Sequence, residues 1–286
     1  MYKLKIILTA AILISAVATA KAETQYQKED SIRVTTLLAK AQKQPEGTNF
    51  MIFFARQLKG LPYVAHTLEI NDTEETIINL RQLDCTTYVE NVLALALCMK
   101  QNRPCFKQFC ENIACIRYAK GKKIHYTNRL HYFTSWIEEN TKKGFCYEIQ
   151  SPAPPFTAVQ RLDINYMTKH IGSYRMLKIN PTYVPEIRKT EQHLTGKTYR
   201  YIPKSQVKNT SLLRRTIHDG DIIATTTNIN GLDTQHIGIA VWHKDGLHML
   251  NASSIHHKVV EEPMTLYQYL KKQKTMPGIR IVRPKM

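Results

Sequence analysis

The sequence is most easily bounded by what it lacks. It has no Gly-rich phosphate loop and no His-Glu-x-x-His pair, so no motif announces nucleotide binding or helix-borne metalloprotease chemistry. Internal repeats, low-complexity tracts and long runs of like charge are absent, and this is not a disordered chain. Acids are scarce: 23 Asp and Glu face 40 Lys and Arg, a formal net charge of +17 over 286 residues. Those basic residues are spread along the chain rather than blocked into an arm, which weakens the case for nucleic acid. There are only six cysteines, Cys85, Cys98, Cys105, Cys110, Cys115 and Cys146, and their spacings fit no zinc ribbon or finger.

What is present begins with an export signal. Lys3 and Lys5 precede an apolar stretch from Ile6 to Val17, and Ala20-Lys21-Ala22 is a small-x-small cleavage site. The apolar run is shorter than the roughly 20 residues that span a bilayer. Residues 1–22 are therefore expected to be a cleaved signal peptide, with no integral membrane segment after it and an exported, periplasmic or secreted, product. Cleavage near Ala22 removes three lysines and no acids, leaving +14. A basic exported protein fits an anionic partner such as a cell-wall polymer or a carboxylate-bearing peptide. Most of the cysteines are expected to be small buried hydrophobes, with one unassigned disulfide allowed.

Hydrophobic residues make up 43% of the chain, enough for a sizeable core. The apolar spacing predicts helices over Ser31–Gln42 (capped by Ser31 or Asp30), Phe50–Leu58, Cys85–Met99, Cys105–Ala119 and Leu130–Thr141. Past Tyr199, "GDIIATTT", "HIGIAVWH", "GLHMLNAS" and "KVVEEP" read as a strand meander, followed by a helix over Leu266–Lys272 and a closing strand, "GIRIVR". Helices first and strands second make an α+β protein, with residues 23–286 as one domain.

The chemistry centres on "LDCTTYVE". Asp84 can cap the helix that opens at Cys85, accepting from the amide of Thr86 or Thr87. That places the thiol in the first turn, where the helix dipole favours a thiolate and free amides can hold an oxyanion. The residue types leave three readings of Cys85 open: nucleophile, buried structural thiol and disulfide half. A nucleophile needs a base, and His236 opens a strand with glycines nearby. The base needs an orienting acceptor, which the next strand offers as His248 or Asn251. These two differ by three positions and so face opposite sides of the strand.

Gly60-Leu61-Pro62-Tyr63, Asp84-Cys85-Thr86, His236-Ile237-Gly238-Ile239 and Asn251-Ala252 occur in the order in which the NlpC/P60 superfamily of papain-like cell-wall hydrolases carries G-x-P-Y, D-C-[ST], H-[VI]-G-I and a polar residue before Ala. With "RLHYFTSWIEEN", "DINYMTKHIGSY" and "TYRYIPK", the chain resembles the DUF1460 branch from roughly Thr35 to Arg283. The resemblance implies a papain-like core, a nucleophile helix packed on an antiparallel sheet, with additional N-terminal helices. It assigns Cys85 as nucleophile, His236 as general base and acid, and Asn251 as the third member, where the superfamily often has histidine. Tyr63 and Thr86 would line the site. Arg129, in a basic and aromatic segment, is the candidate ligand of a substrate carboxylate. The implied activity is N-acetylmuramoyl-L-alanine amidase, acting on muropeptides as a monomer without metal or cofactor. The rivals are a stem-peptide endopeptidase on the same fold and a non-catalytic binder of anionic wall polymer.

Overall fold

A computed structural model of the chain describes residues 24–286. The expected signal segment, residues 1–22, lies outside the described residues.

Helix α1 (Lys28–Ala41) starts earlier than its sequence signals suggest. Gln27 takes the cap position, and Asp30 sits inside the first turn, accepting from the Gln27 N–H at 2.9 Å. Asp30 is fully buried because its other oxygen accepts from Leu80 N–H at 2.8 Å and pairs with Arg81 at 3.2 Å. The carboxylate that looked like a local cap thus ties α1 to the segment leading into the third helix.

Helix α2 (Phe50–Gln57) is capped by the Asn49 side chain. Helix α3 (Cys85–Lys100) is the centre of the molecule: every residue from Thr87 to Cys98 is buried. Fully burying a Leu or Val side chain contributes about 1.5–3 kcal/mol, and α3 buries Val89, Val92, Leu93, Leu95 and Leu97. A cap contributes about 1 kcal/mol, so packing decides where this helix lies and the cap decides only where it starts. Helices α1, α2 and α4 (Phe106–Arg117) pack around it, and the Tyr88 hydroxyl donates to Ala55 O at 3.1 Å. Helix α4 ends before Ala119, and α5 (Phe133–Lys142) begins after Leu130. The reason is a short extended pairing: Ala119 N–H donates to Asn128 O and Leu130 N–H to Arg117 O, both at 2.9 Å.

Strands β1 (Thr24–Gln25) and β2 (Thr76–Ile77) form a small parallel pair. The main sheet has eight antiparallel strands: β3 (Cys146–Glu148), β4 (Ala158–Arg161), β5 (Thr198–Pro203), β6 (Ile222–Thr226), β7 (Thr234–Trp242), β8 (Leu247–Ser253), β9 (Lys258–Glu261) and β10 (Gly278–Pro284). Their order is β4-β5-β10-β6-β7-β8-β9, with β3 also on β10. The meander β6 to β9 is as expected. The last strand, however, inserts between β5 and β6, and β3 and β4 join from the helical half. Helices α6 (Tyr166–Lys169), α7 (Arg175–Ile179) and α8 (Val184–Leu194) lie between β4 and β5 and gather a small cluster of their own around Met167, Leu177 and Ile187. Helices α9 (Ser211–Thr216) and α10 (Leu266–Lys272) complete the fold.

The sheet carries a core on each face. Ile237, Ile239, Val241 and Leu250 pack against α3, while Ala240, Met249 and Ile281 pack with Leu266, Tyr269 and Leu270 of α10. Gly238 is required by this packing: a Cβ there would meet Met249 Cγ at 2.5 Å and Leu250 O at 2.8 Å. No helix among the described residues is long and apolar enough to cross a membrane.

The cysteine expectations need two corrections. All six thiols are free, and Cys105 and Cys115 are exposed rather than buried. Cys105 stands outside α4 as its cap, with Sγ accepting from Gln108 N–H at 3.5 Å. Cys98 and Cys146 are core residues.

Candidate active site

Helix α3 begins at Cys85 because Asp84 caps it. The Asp84 carboxylate accepts from Thr87 N–H at 2.7 Å, and the Thr87 hydroxyl in turn accepts from Asp84 N–H at 2.9 Å. This reciprocal cap leaves the amides nearest Cys85 free. The preceding turn is held by Gly60, whose φ of +86° glycine adopts without cost. Tyr63 N–H then donates to His257 O at 3.0 Å, and Leu83 N–H donates to Pro62 O at 3.0 Å. The Gly-x-Pro-Tyr turn is thereby clamped beside the start of α3.

His236 and Asn251 come from neighbouring strands. Ile239 pairs with Leu250 across β7 and β8. Asn251, one residue on, and His236, three residues back, therefore share a face. His236 Nε2 lies 3.0 Å from Asn251 Oδ1. Asn251 is buried, and its Nδ2 donates to Met249 O at 3.4 Å, which leaves Oδ1 to accept from the ring. Nε2 then carries the hydrogen, and Nδ1 keeps its lone pair. His248 points to the other face, with Nδ1 at 2.8 Å from Glu262 O. The choice the sequence left open thus falls to Asn251 as the residue on His236.

The β7–β8 pairing ends at Ile239 and Leu250, and α3 packs over both strands. The backbone N–H of Ile237 and the N–H and hydroxyl of Thr86 face the Cys85 sulfur, each favouring a thiolate. Burial and the Asp84 carboxylate oppose them and push the thiol up to about 12. Burial also holds the His236 pKa below its usual 6.5, against the hydrogen bond to Asn251. The thiol is therefore protonated at rest, and it shares no hydrogen bond with His236.

Two tyrosines flank the thiol. Burial, then the neighbouring Cys85 and Asp84, push the Tyr63 phenol up to about 12, so it stays a hydroxyl. Tyr269 of α10 was not anticipated; its ring lies 6.5 Å from that of His236, at 32°. Its only sequence signal is the apolar spacing of Leu266, Tyr269 and Leu270, which marks it as a core residue.

Cys85 opens onto a cavity of about 220 Å³ lined by Tyr63, His66, Glu69, Thr86, Arg129 and His131, among others. Arg129 does reach this wall, but its guanidinium already pairs with Glu69 at 2.8 Å and Glu74 at 3.4 Å and stacks over Tyr126. Deeper in, buried Glu90 and Arg117 pair at 2.8 Å. His131 is a neutral imidazole, its pKa lowered by burial and by Arg129 to about 3.

Fold and site define a class: an α+β protein with a thiol at a helix start and an imidazole–amide pair at the open end of the hairpin that the helix packs on. The chain belongs to the AmiA-like family, described as N-acetylmuramoyl-L-alanine amidase-like, which it matches over residues 53–279. It is similar to an N-acetylmuramoyl-L-alanine amidase from Bacteroides uniformis, at 39% identity over 85% of this chain and 100% of that one, with a TM-score of 0.77. A Bacteroides fragilis protein with a provisional xylanase name is 41% identical over 80% of this chain and 98% of that one, with a TM-score of 0.74. Protein LPG0564 of Legionella pneumophila, matched to DUF1460, shares the fold at 22% identity over 90% of this chain and 94% of that one, with a TM-score of 0.69. No curated protein matches the chain.

Proposed function

We propose that this chain, as a single catalytic domain over residues 23–286, is an exported cysteine amidase of the NlpC/P60 type. It cleaves the amide between the lactyl group of muramic acid and the first alanine of a stem peptide. The observation that carries the reading is the His236–Asn251 hydrogen bond of 3.0 Å, set one residue from the Ile237 N–H that faces the Cys85 sulfur. The family and the amidase from B. uniformis supply the bond.

The proposed sequence of events follows from the charges. With the proton on sulfur and the imidazole neutral, Nδ1 takes the thiol proton as sulfur attacks the carbonyl carbon. The oxyanion is held by N–H groups at the start of α3, and the Tyr63 hydroxyl is a further donor at this wall. The imidazolium returns its proton to the alanine nitrogen, the C–N bond breaks, and a thioester remains. Water, deprotonated by His236, then releases the lactyl carboxylate and restores the thiol. Thr86 lines the acyl pocket. Arg129 meets a substrate carboxylate by opening one of its two ion pairs.

A glycosidase reading, suggested by one relative's name, needs two free carboxylates flanking the bond. Here Glu69 and Glu90 are each tied to an arginine and Asp84 caps a helix, which favours amide chemistry. The stem-peptide endopeptidase uses the same machinery. Mass spectrometry of digested muropeptides separates the two: a free sugar-lactate end supports the amidase, and a released dipeptide sinks it.

A further inference from the structure

The far end of the β7–β8 hairpin carries a second group of imidazoles, which the amidase reading does not use. One ring nitrogen of His243, one of His248 and a carboxylate oxygen of Asp245 lie within 4.8 Å of one another. His243 and Asp245 belong to the turn between Trp242 and Leu247, and His248 is the second residue of β8. The two rings are nearly parallel, 21° apart, with centroids 4.1 Å from each other.

The hydrogen-bond roles around His248 are constrained. Its Nδ1 lies 2.8 Å from Glu262 O, a carbonyl that can only accept, so Nδ1 carries the hydrogen. In a neutral ring Nε2 is then a lone pair, and it faces Asp245 Oδ1 at 3.0 Å. A lone pair opposed to a carboxylate repels unless a positive charge joins them. His248 is 2% exposed while Asp245 is exposed, so water screens the carboxylate but does not reach the ring nitrogen. A cation between nitrogen and oxygen satisfies both, and a backbone carbonyl holding the remote N–H is the usual way a ligating imidazole is oriented.

His243 adds the third donor. Its Nε2 lies 2.8 Å from Glu261 Oε1, and Glu261 already pairs with Arg56 at 2.9 Å and Lys59 at 3.3 Å. With two cations on that carboxylate, a neutral His243 can donate its Nε2–H and keep a lone pair on the other nitrogen. Exposed Asp245 and half-buried His243 can turn toward a common point, while His248 is fixed.

We propose that His243, Asp245 and His248 bind one divalent transition-metal ion of the zinc type, with water completing the shell. Two imidazoles and a single carboxylate suit Zn²⁺ rather than Mg²⁺ or Ca²⁺, which take oxygen shells. Residue 243 is seven residues from His236 along an extended strand, about 23 Å at 3.3 Å per residue. The ion therefore clamps the hairpin turn and takes no part in the chemistry at Cys85. The proposal stands independently of the amidase reading.

The test uses the mature chain, stripped with a chelator and with its thiols alkylated, because Cys105 and Cys115 are exposed and could themselves bind zinc. Calorimetric titration with Zn²⁺ is expected to show one site, and Zn²⁺ to raise the unfolding temperature. Co²⁺ should give visible d–d bands without a thiolate charge-transfer band. Asp245→Asn and His243→Gln, both in the turn, should each weaken binding by about tenfold or more with unchanged far-UV circular dichroism. Uptake that disappears on alkylation, binding unchanged in both variants, or no uptake at all overturns the site. The last result would leave His248 and Asp245 as a side-chain pair without a metal. None of these readouts depends on cleavage of a muropeptide.

Discussion

At one end of the β7–β8 hairpin an imidazole meets an amide; at the other, two imidazoles meet carboxylates. His236 donates to Asn251 Oδ1, while His243 and His248 lie beside Glu261 and Asp245. An amide can aim a ring but cannot balance a positive charge, and burial holds the pKa of this ring down. A carboxylate favours a charge beside it, whether imidazolium or metal ion. In the proposed reading one β-hairpin presents the same residue type for proton transfer at its open end and for cation binding at its turn, and the neighbour makes the difference.

The comparison can be broken or sharpened in five ways. Cys85→Ala should lower muropeptide turnover by on the order of 10³-fold or more, with the circular dichroism spectrum unchanged; retained turnover would remove the proposed mechanism. His236→Ala should cost about 10²–10⁴-fold, the range of a general acid–base group, where the same change at His243 leaves turnover alone. Asn251→Ala should cost less, roughly tenfold, since the ring loses its aim but not its base.

Asn251→Asp sharpens the contrast further. Burial lowers the His236 pKa, so the base form survives as pH falls, and the acid limb of kcat/KM should lie below 6.5. A carboxylate 3.0 Å from Nε2 favours the imidazolium and moves that limb upward, which a pH–rate profile would read. The smallest effect is expected from Asp245→Asn, with turnover within about twofold of the parent, as for other surface changes away from the chemistry.

Much of the site is local and was legible. Asp84 before Cys85, with apolar residues behind, is a helix start in any context, because capping and dipole act within one turn. His248 and Asn251 could be placed on opposite faces from their spacing alone. Which of them reaches His236 depended on the Ile239–Leu250 register, a pairing between strands. Arg129 shows what a residue type leaves out: a basic residue among aromatics reads as a ligand, and only the fold shows that Glu69 and Glu74 arrive from a distant loop and pair with it. Tyr269 was invisible as a site residue because α10 reaches His236 only by packing on the sheet. Asp233, just ahead of β7, accepts from Thr134 N–H at 2.6 Å and so supplies α5 with the cap its own sequence lacks.

By itself the sequence determined the helix that presents Cys85, the strands that bear His236 and Asn251, and the α+β balance of the chain, all of which rest on capping and on periods of 3.6 and 2. Only the tertiary structure decided that β10 runs between β5 and β6, that Asn251 rather than His248 holds the imidazole, and that Arg129 is already paired. Closing a loop twice as long costs only about 0.6 kcal/mol more. Proximity along the chain is therefore a weak guide to neighbours, and burial of apolar faces and pairing of buried charges choose them instead.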